Sequence, residues 1–463
     1  MSGPLVAAID VGKTNAKIAF IDTRSGAEVW SEKRVNQVVV TPLGRQLDIE
    51  GIERWLVQTL QRAPDKNHVS AVVPVAHGAA AVLLDEQDAV VAAPDYEDPQ
   101  FGMADASYDG ERDAFERTFS PRLPLGLNLA RQLFVLEREH PAAFARVAHI
   151  LPYPQYWAWR LSGIMASEVT SLGCHTDLWL PREQSFSKLA RAHAWNGLFP
   201  SVRSAAETLG PLAQEMSERT GLARECRVVC GIHDSNACWL EHSMERPRGT
   251  PFAVISSGTW TIAMASGADP ARLRADRDML ANVDAFGAIV CTARFMGGRE
   301  YDFIAGTSVA PDEAALASII ERNVMALPAF ASGGPFAASA GKRMCHGQPL
   351  GAGDLNAHES AALATLYIAL MTEVLLENLD ARGEVIVDGP LATNPLFASL
   401  LSALRPSSEV RASRAVTSGA RATCYLAGLT PPHTRPPRAV PPLRLRGLEA
   451  YRAEWRQRIP EQP

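Results

Sequence analysis

Apolar and polar positions along this chain switch repeatedly between a period of two and a period near 3.6. The opening LVAAIDVGKTNAKIAFID sets two apolar, β-rich runs around a glycine-containing turn, which predicts a hairpin. Ile52, Trp55, Leu56, Thr59 and Leu60 then recur at i, i+3, i+4, i+7 and i+8, predicting a helix over residues 50–61. VSAVVPVAHG reads as a buried strand ending at a glycine, and Leu129, Leu133 and Leu136 give residues 127–139 a helical face. Residues 95–117 are acidic and aromatic with weak periodicity. They are read as a solvated surface loop, with a substrate loop as the alternative.

The second half repeats the first in outline. FAVISSGTWTIAMAS is another pair of apolar runs about a glycine, and both Gly12 and Gly258 follow an isoleucine by three residues. The two turns lie about half the chain apart, which suggests two similarly built domains, residues 1–242 and 243–463, with Pro247 and Gly249 marking the linker. A long apolar helix over residues 359–379 leads into a strand EVIVDG, a turn PLATN and a helix PLFASLLSAL. Strand, glycine turn and helix in that order are a usual ligand position in an open α/β sheet. Residues 431–442 hold six prolines and predict an extended strap or disorder. The alternation as a whole predicts an α/β protein.

At 463 residues, 47% hydrophobic and 21% charged, the chain is globular and long enough for two or three domains. A formal charge of −6 supplies no basic excess for a phosphate backbone, so nucleic acid is not an expected partner. The apolar stretch over residues 71–84 is interrupted by Pro74, His77 and Gly78, and no membrane span is expected. MSGPLVAAID has no basic leader region, and the seven cysteines show no framework spacing. The expectation is a cytoplasmic protein with reduced thiols.

Gly12-Lys13-Thr14 looks like the end of a Walker A loop, but Ala7 stands where that loop needs its first glycine, and a strand follows instead of a helix. A Gly-Lys-Thr-Asn hairpin turn can still bind phosphate through its N–H groups. Asp10, at the end of the strand beside it, is either a Mg²⁺ ligand or an acceptor for turn amides. Ser256-Ser257-Gly258-Thr259 offers hydroxyls at the matching turn; an ordinary hairpin is the plain alternative. In CGIHDSNACW, Asp234 at a helix start is either an N-cap or a rigidly held general base. His233 either bonds a sugar hydroxyl or is structural. Ser185-Phe186-Ser187-Lys188 fits S-x-x-K without the partner motifs of a β-lactamase, and the eleven histidines show no metal-binding spacing.

Taken together, these motifs resemble the FGGY carbohydrate kinases. DVGKTNAK resembles that family's first phosphate signature, GIHDSNA the segment bearing its catalytic Asp, ISSGTWTIA its second phosphate turn, and VDGPLATNPLFASLL its adenine-side segment. ILPYPQYWAWRLSGIMASEVTSL is similar to its hinge-like region. The resemblance spans nearly the whole chain in the family's order. It implies a two-lobed actin-like ATPase (ribonuclease H-like) fold with a central cleft. It also implies ATP and Mg²⁺ as cofactors and transfer of a γ-phosphoryl group to a primary hydroxyl of a ketose. The His-Asp pair and the Ser-Ser-Gly-Thr-Trp turn are closest to the fuculokinase and rhamnulokinase branch, so the implied substrate is L-fuculose- or L-rhamnulose-like. Pentulose or polyol phosphorylation and a catalytically degenerate sensing homologue are the alternatives.

By position, the resemblance makes Asp234 the base and Asp10 the Mg²⁺ residue. It puts Gly12, Lys13, Thr14, Asn15, Lys17, Gly258, Thr259, Gly389 and Asn394 around the nucleotide, and His77, Gly78, His233 and Asp234 around the sugar. The expected partner is a small sugar, with a homodimer left open. Three positions depart from the family: Lys13 where a small or hydroxylic residue is usual, Pro390 in place of a second glycine, and Ala79 to Ala81 where a polar residue is common.

Overall fold

The computed structural model describes residues 4–102, 106–351, 353–413, 419–429, 431 and 436–461. The chain forms two compact units. One comprises Met1–Glu245, Ala281–Ile289 and Val416–Thr434; the other comprises Arg246–Leu280, Val290–Ala415 and Arg435–Pro463.

In the first unit the predicted hairpin pairs Leu5–Val11 with Asn15–Asp22 in antiparallel register, and Leu5–Val11 also runs parallel to Val69–Ala76. The sheet order is Thr208–Pro211, Arg227–Val229, Val69–Ala76, Leu5–Val11, Asn15–Asp22 and Glu28–Val35, with Ile232–His233 pairing further along Val69–Ala76. Strands at the centre read as continuous apolar runs because both faces are covered. Leu5, Ala7 and Ile9 pack with Ile52, Leu56 and Leu60 of the helix Ile49–Arg62 and with Tyr156 and Trp157 of the helix Tyr153–Ser162. Val6, Val73 and Ile232 face the other way, against Ala237 and Leu240 of the helix Asp234–Ser243 and Ala422 of the helix Ala420–Leu426. Asp48 starts Ile49–Arg62 by accepting from the Gly51 N–H at 2.9 Å, and Pro64 follows just after its end.

The second unit repeats this motif. Phe252–Ser257 is antiparallel to Thr261–Ser266 and parallel to Glu384–Asp388, as Leu5–Val11 is to its two neighbours. Thr261–Ser266 continues to Ile289–Phe295, and Glu384–Asp388 to Val410–Ala412 and Arg438–Ala439. The apolar helix Ala357–Asn378 begins with a capping box between Asn356 and Glu359 and packs against Gly297–Ala305, Glu313–Glu321 and Phe397–Leu404. It is long and apolar enough to span a bilayer by composition, but most of it is buried inside this unit, as a core helix is.

One expectation changes in part, and the described part of the proline-rich tail is extended, as a strap would be. Residues 95–117 are anchored, with Asp95, Phe101 and Tyr108 buried and short helices at Ala106–Glu111 and Phe115–Thr118; residues 103–105 lie outside the described residues. Of the acids there Asp95 and Asp98 are buried, while Glu97, Asp109, Glu111 and Glu116 are exposed as expected; the cations that hold Asp95, Lys13 and Arg45, are remote in sequence. In the proline-rich tail, Arg438–Ala439 is a strand, while residues 432–435 lie outside the described residues. The seven cysteines form no disulfide.

Candidate functional site

Strand register assembles the site of the first unit. Asp10 pairs with Val75, Val11 with Ala76, and His233 with Ala76 from the far side. The His77 N–H then donates to the Val11 carbonyl at 3.2 Å. Three neighbouring strands therefore end together and deliver Asp10, His77 and the His233-Asp234 pair to one edge, the C-terminal edge where open α/β sheets bind ligands.

His77 is buried against Tyr153 and Tyr96, with ring centroids at 5.0 and 5.7 Å. Its Nδ1 lies 2.8 Å from the Gly78 carbonyl, which only an N–H can satisfy. Burial pushes its pKa down, against the pull of the Gly78 carbonyl and of Asp234, so the ring is neutral near pH 7. The proton on Nδ1 leaves Nε2 as a bare acceptor, and Nε2 has no hydrogen-bond partner among the described residues. His233 is likewise buried and pushed down by burial. Asn236 Nδ2 lies 3.3 Å from its Nδ1, and its Nε2 lies 3.3 Å from Asp234 Oδ1. Gly78 is a glycine for a local reason: a Cβ there would come within 2.6 Å of His233 Nε2.

Asp234 is the first residue of the helix Asp234–Ser243; its side chain is 41% exposed, so a substrate can reach it. The Ser235 N–H and hydroxyl donate to its Oδ1 at 2.5 and 3.2 Å. Asp10 is crowded by protein yet open to water. Desolvation, then the charge of Asp234, push its pKa up to about 7, and Lys17 opposes them. Lys17 sits across the hairpin from Asp10 and is paired with Glu28 at 2.6 Å.

The Gly12–Asn15 turn is pinned by Asn36, whose N–H donates to Thr14 O and whose amide donates to Gly12 O, both at 2.8 Å; Thr14 and Asn15 are exposed. The Lys13 ammonium is bound by Asp95 at 2.5 Å and Glu97 at 3.5 Å and lies 5.2 Å from the Tyr96 ring centroid. Burial pushes the Asp95 carboxyl up, but Lys13, the Glu97 N–H and Arg45 outweigh it and hold it below the usual range. Ala79 has φ +54°, a left-handed conformation, and its carbonyl accepts from buried Gln132 at 2.7 Å.

A cavity of about 750 Å³ occupies the second unit. Gly258, Thr259, Pro390 and Asn394 line it together with Gly297, Gly298, Arg299 and Tyr301. Gly389, at φ +78°, abuts Ser257, and an added Cβ would stand 2.2 Å from Ser257 O. The Ser257 hydroxyl ties both segments, donating to Asp388 O at 2.6 Å and accepting from the Leu391 N–H at 3.0 Å. Pro390 occupies the first turn of the short helix Pro390–Thr393, where a missing N–H costs no helical bond. Asn394 caps the next helix through the Leu396 and Phe397 N–H groups.

Sequence reasoning missed the Gly297–Ala305 helix as part of this cavity, although FMGGRE places a glycine pair between a strand and a helix. It also missed Gln132, and it gave no role to Gln155, Glu168 and Thr170, buried polar residues inside the hinge-like segment ILPYPQYWAWRLSGIMASEVTSL.

Residues 249–436 match the carbohydrate kinase FGGY C-terminal domain. The chain is similar to a carbohydrate kinase from Novosphingobium aromaticivorans, with 34% identity, 98% of each chain covered and a TM-score of 0.87. It is 23% identical to a rhamnulokinase from Halalkalibacterium halodurans over 272 residues, so the match spans 55% of each chain. A xylulose kinase from Lactobacillus acidophilus shares the fold, with a TM-score of 0.78 at 14% identity over 98% of this chain and 96% of that one. Those kinases have the two-lobed actin-like ATPase fold.

Proposed function

The chain belongs to the FGGY carbohydrate kinase family, and from that premise we propose that it transfers the γ-phosphoryl group of ATP to a primary hydroxyl of an L-rhamnulose- or L-fuculose-like ketose. It is a phosphotransferase with an alcohol group as acceptor. The observation that carries the finer reading is the convergence of an open carboxylate, Asp234, with the bare Nε2 of neutral His77 at one sheet edge.

In this reading Asp234 accepts the proton of the attacking hydroxyl. His77 Nε2 accepts from a neighbouring sugar hydroxyl, and His233 orients the Asp234 carboxylate from 3.3 Å. Gly78 keeps His233 close by leaving it room. Phosphoryl transfer asks for positioning and charge neutralisation more than covalent chemistry, and these residues supply positioning. The Gly12–Asn15 turn with Lys17, and the Gly258-Thr259 turn, take the phosphates. Lys13 stiffens the first turn through Asp95. Gly389 and Asn394 border the nucleoside in the cavity of the second unit. Asp10 fits Mg²⁺: it is an oxygen donor open to water, and its charge is raised in energy by Asp234, a repulsion that a divalent cation relieves. Bound there, Mg²⁺ supplies charge neutralisation for phosphate oxygens. The proposed division of labour gives the sugar, the base and the first phosphate turn to residues 1–242, and the second phosphate turn and the adenine to residues 243–463.

The sugar is tested by incubating the enzyme with Mg·ATP and a panel of ketoses, aldoses and polyols, with product position read by mass spectrometry and phosphorus NMR. A 1-phosphate of a 6-deoxyketose is expected. Preferential phosphorylation of a polyol or pentulose would replace that substrate, and nucleotide binding without any product would favour a sensing protein.

A further inference from the structure

The loop that delivers Asp234 is gripped from behind by buried residues that bond its backbone. Thr170 is fully buried and stands between two partners. Its hydroxyl donates to Glu168 Oε2 at 2.5 Å and accepts from the backbone N–H of His233 at 3.1 Å. Glu168 is itself fully buried, and the same oxygen accepts from the Thr170 and Ser171 N–H groups at 3.0 and 3.4 Å. The backbone N–H of His233 can only donate, so Thr170 accepts there and turns its own proton to Glu168 Oε2, and the direction of this chain of hydrogen bonds is fixed.

A second grip acts three residues upstream. Gln155, also fully buried, donates from Nε2 to the carbonyls of Cys230 and Gly231 at 3.2 and 3.3 Å, while its Oε1 accepts from the Ser171 hydroxyl at 3.3 Å. Gly231 has φ +89°, and a Cβ there would stand 2.4 Å from Pro74 O, so the loop is pressed onto the strand Val69–Ala76 that leads to His77. Residues 230–233 are thus fixed by a corner at 168–171 and a helix at Tyr153–Ser162, and Asp234 is the next residue.

We propose that Thr170, with Gln155, is a positioning residue for Asp234: it sets the backbone of the His233-Asp234 pair so that the carboxylate meets the substrate hydroxyl at reacting distance. This rests on the base role of Asp234 proposed above. Burial raises Glu168 to about 7, with Asp284 adding to the shift, as befits a group isolated from solvent behind the site.

Thr170→Val keeps the shape and removes the hydroxyl, and Thr170→Ser restores it. The expected result is a kcat lowered about 10- to 100-fold in Thr170→Val, with KM for sugar and ATP within about 3-fold of native, because a misplaced base costs rate and not binding. Thr170→Ser should return to within about 3-fold of native kcat. Added to Asp234→Asn, Thr170→Val should cause no further loss. Native kcat in Thr170→Val, equal losses in the Val and Ser variants, or full additivity with Asp234→Asn would each overturn the proposal. If Asp234→Asn alone keeps its turnover, the base role falls and the positioning role with it. An inactive Asp234→Asn beside a fully active Thr170→Val removes only the positioning role. Should Thr170→Val fail to fold, Gln155→Met carries the test: a kcat-selective loss supports the proposal and a native kcat overturns it.

Discussion

Gly78 and Lys13 show how single residues are set by partners that sequence distance hides. A Gly78→Ala methyl would stand 2.6 Å from His233 Nε2, so His233 must move and take its contact with Asp234 along. The expected outcome is a fall of about 10-fold or more in kcat/KM for the sugar, with ATP affinity retained; misplacement of this size has such effects. Unchanged sugar kinetics would show that His233 does not orient the base. Lys13 was legible as a turn residue but not as the partner of Asp95, which lies 82 positions away. Lys13→Met leaves a fully buried carboxylate with only the longer contact to Arg45, at 3.4 Å. The expected cost is roughly 1–3 kcal/mol in urea unfolding, discounted from the usual cost of breaking a buried pair because Lys13 is partly exposed. A loss below about 0.5 kcal/mol, the size of an ordinary surface change, would assign the pair no structural weight.

At the scale of elements, the two hairpins, the strand Val69–Ala76 and the helices Ile49–Arg62, Leu129–Glu139 and Ala357–Asn378 were all readable from period and length. Their apolar positions face one layer or two, and that is what periodicity records. The helix Gly297–Ala305 escaped because its reason lies in packing: Gly297 and Gly298 admit the second hairpin turn, and a Cβ on Gly298 would stand 2.3 Å from Gly258 O. Gly298→Ala should raise the KM for ATP severalfold, measured beside an unchanged KM for the sugar.

The same helix buries Glu300 against the Tyr367 hydroxyl of the core helix. Burial pushes this carboxyl from 4.5 up to about 7 despite the Tyr367 bond. Between those pH values the unfolded chain has released a proton that the folded chain keeps, so this group lowers stability as pH rises from 4.5 to 7, and the cost is complete above 7. Glu300→Gln removes that dependence while keeping an acceptor for Tyr367. Relative to native, its stability should improve by about 1–3 kcal/mol between pH 5 and pH 8 in urea titrations. A difference that does not vary with pH would show that Glu300 ionises normally.

Over the whole molecule, the internal repeat was the most informative signal. Each half places a strand antiparallel to its hairpin partner and parallel to a third strand, and each puts its glycine turn at the end of that unit. Contiguous halves were the simplest division of the sequence. Two short segments of the second half, Ala281–Ile289 and Val416–Thr434, belong to the first unit, which no local pattern marks because the reason for them is tertiary packing. Asp10, Asp234 and Gly78 could be named from their motifs, whereas Gln155, Glu168 and Thr170 lie in a segment the sequence singled out only as hinge-like, and their bonds to residues 230–233 show only in the packing.

The central claim is that this kinase moves a phosphoryl group with Asp234 as its base. It is tested most directly by ADP release from Mg·ATP with the best ketose, comparing native enzyme with Asp234→Asn at matched nucleotide affinity. The account predicts turnover lowered by about 10²- to 10⁴-fold with ATP binding intact. Near-native turnover in Asp234→Asn would contradict it.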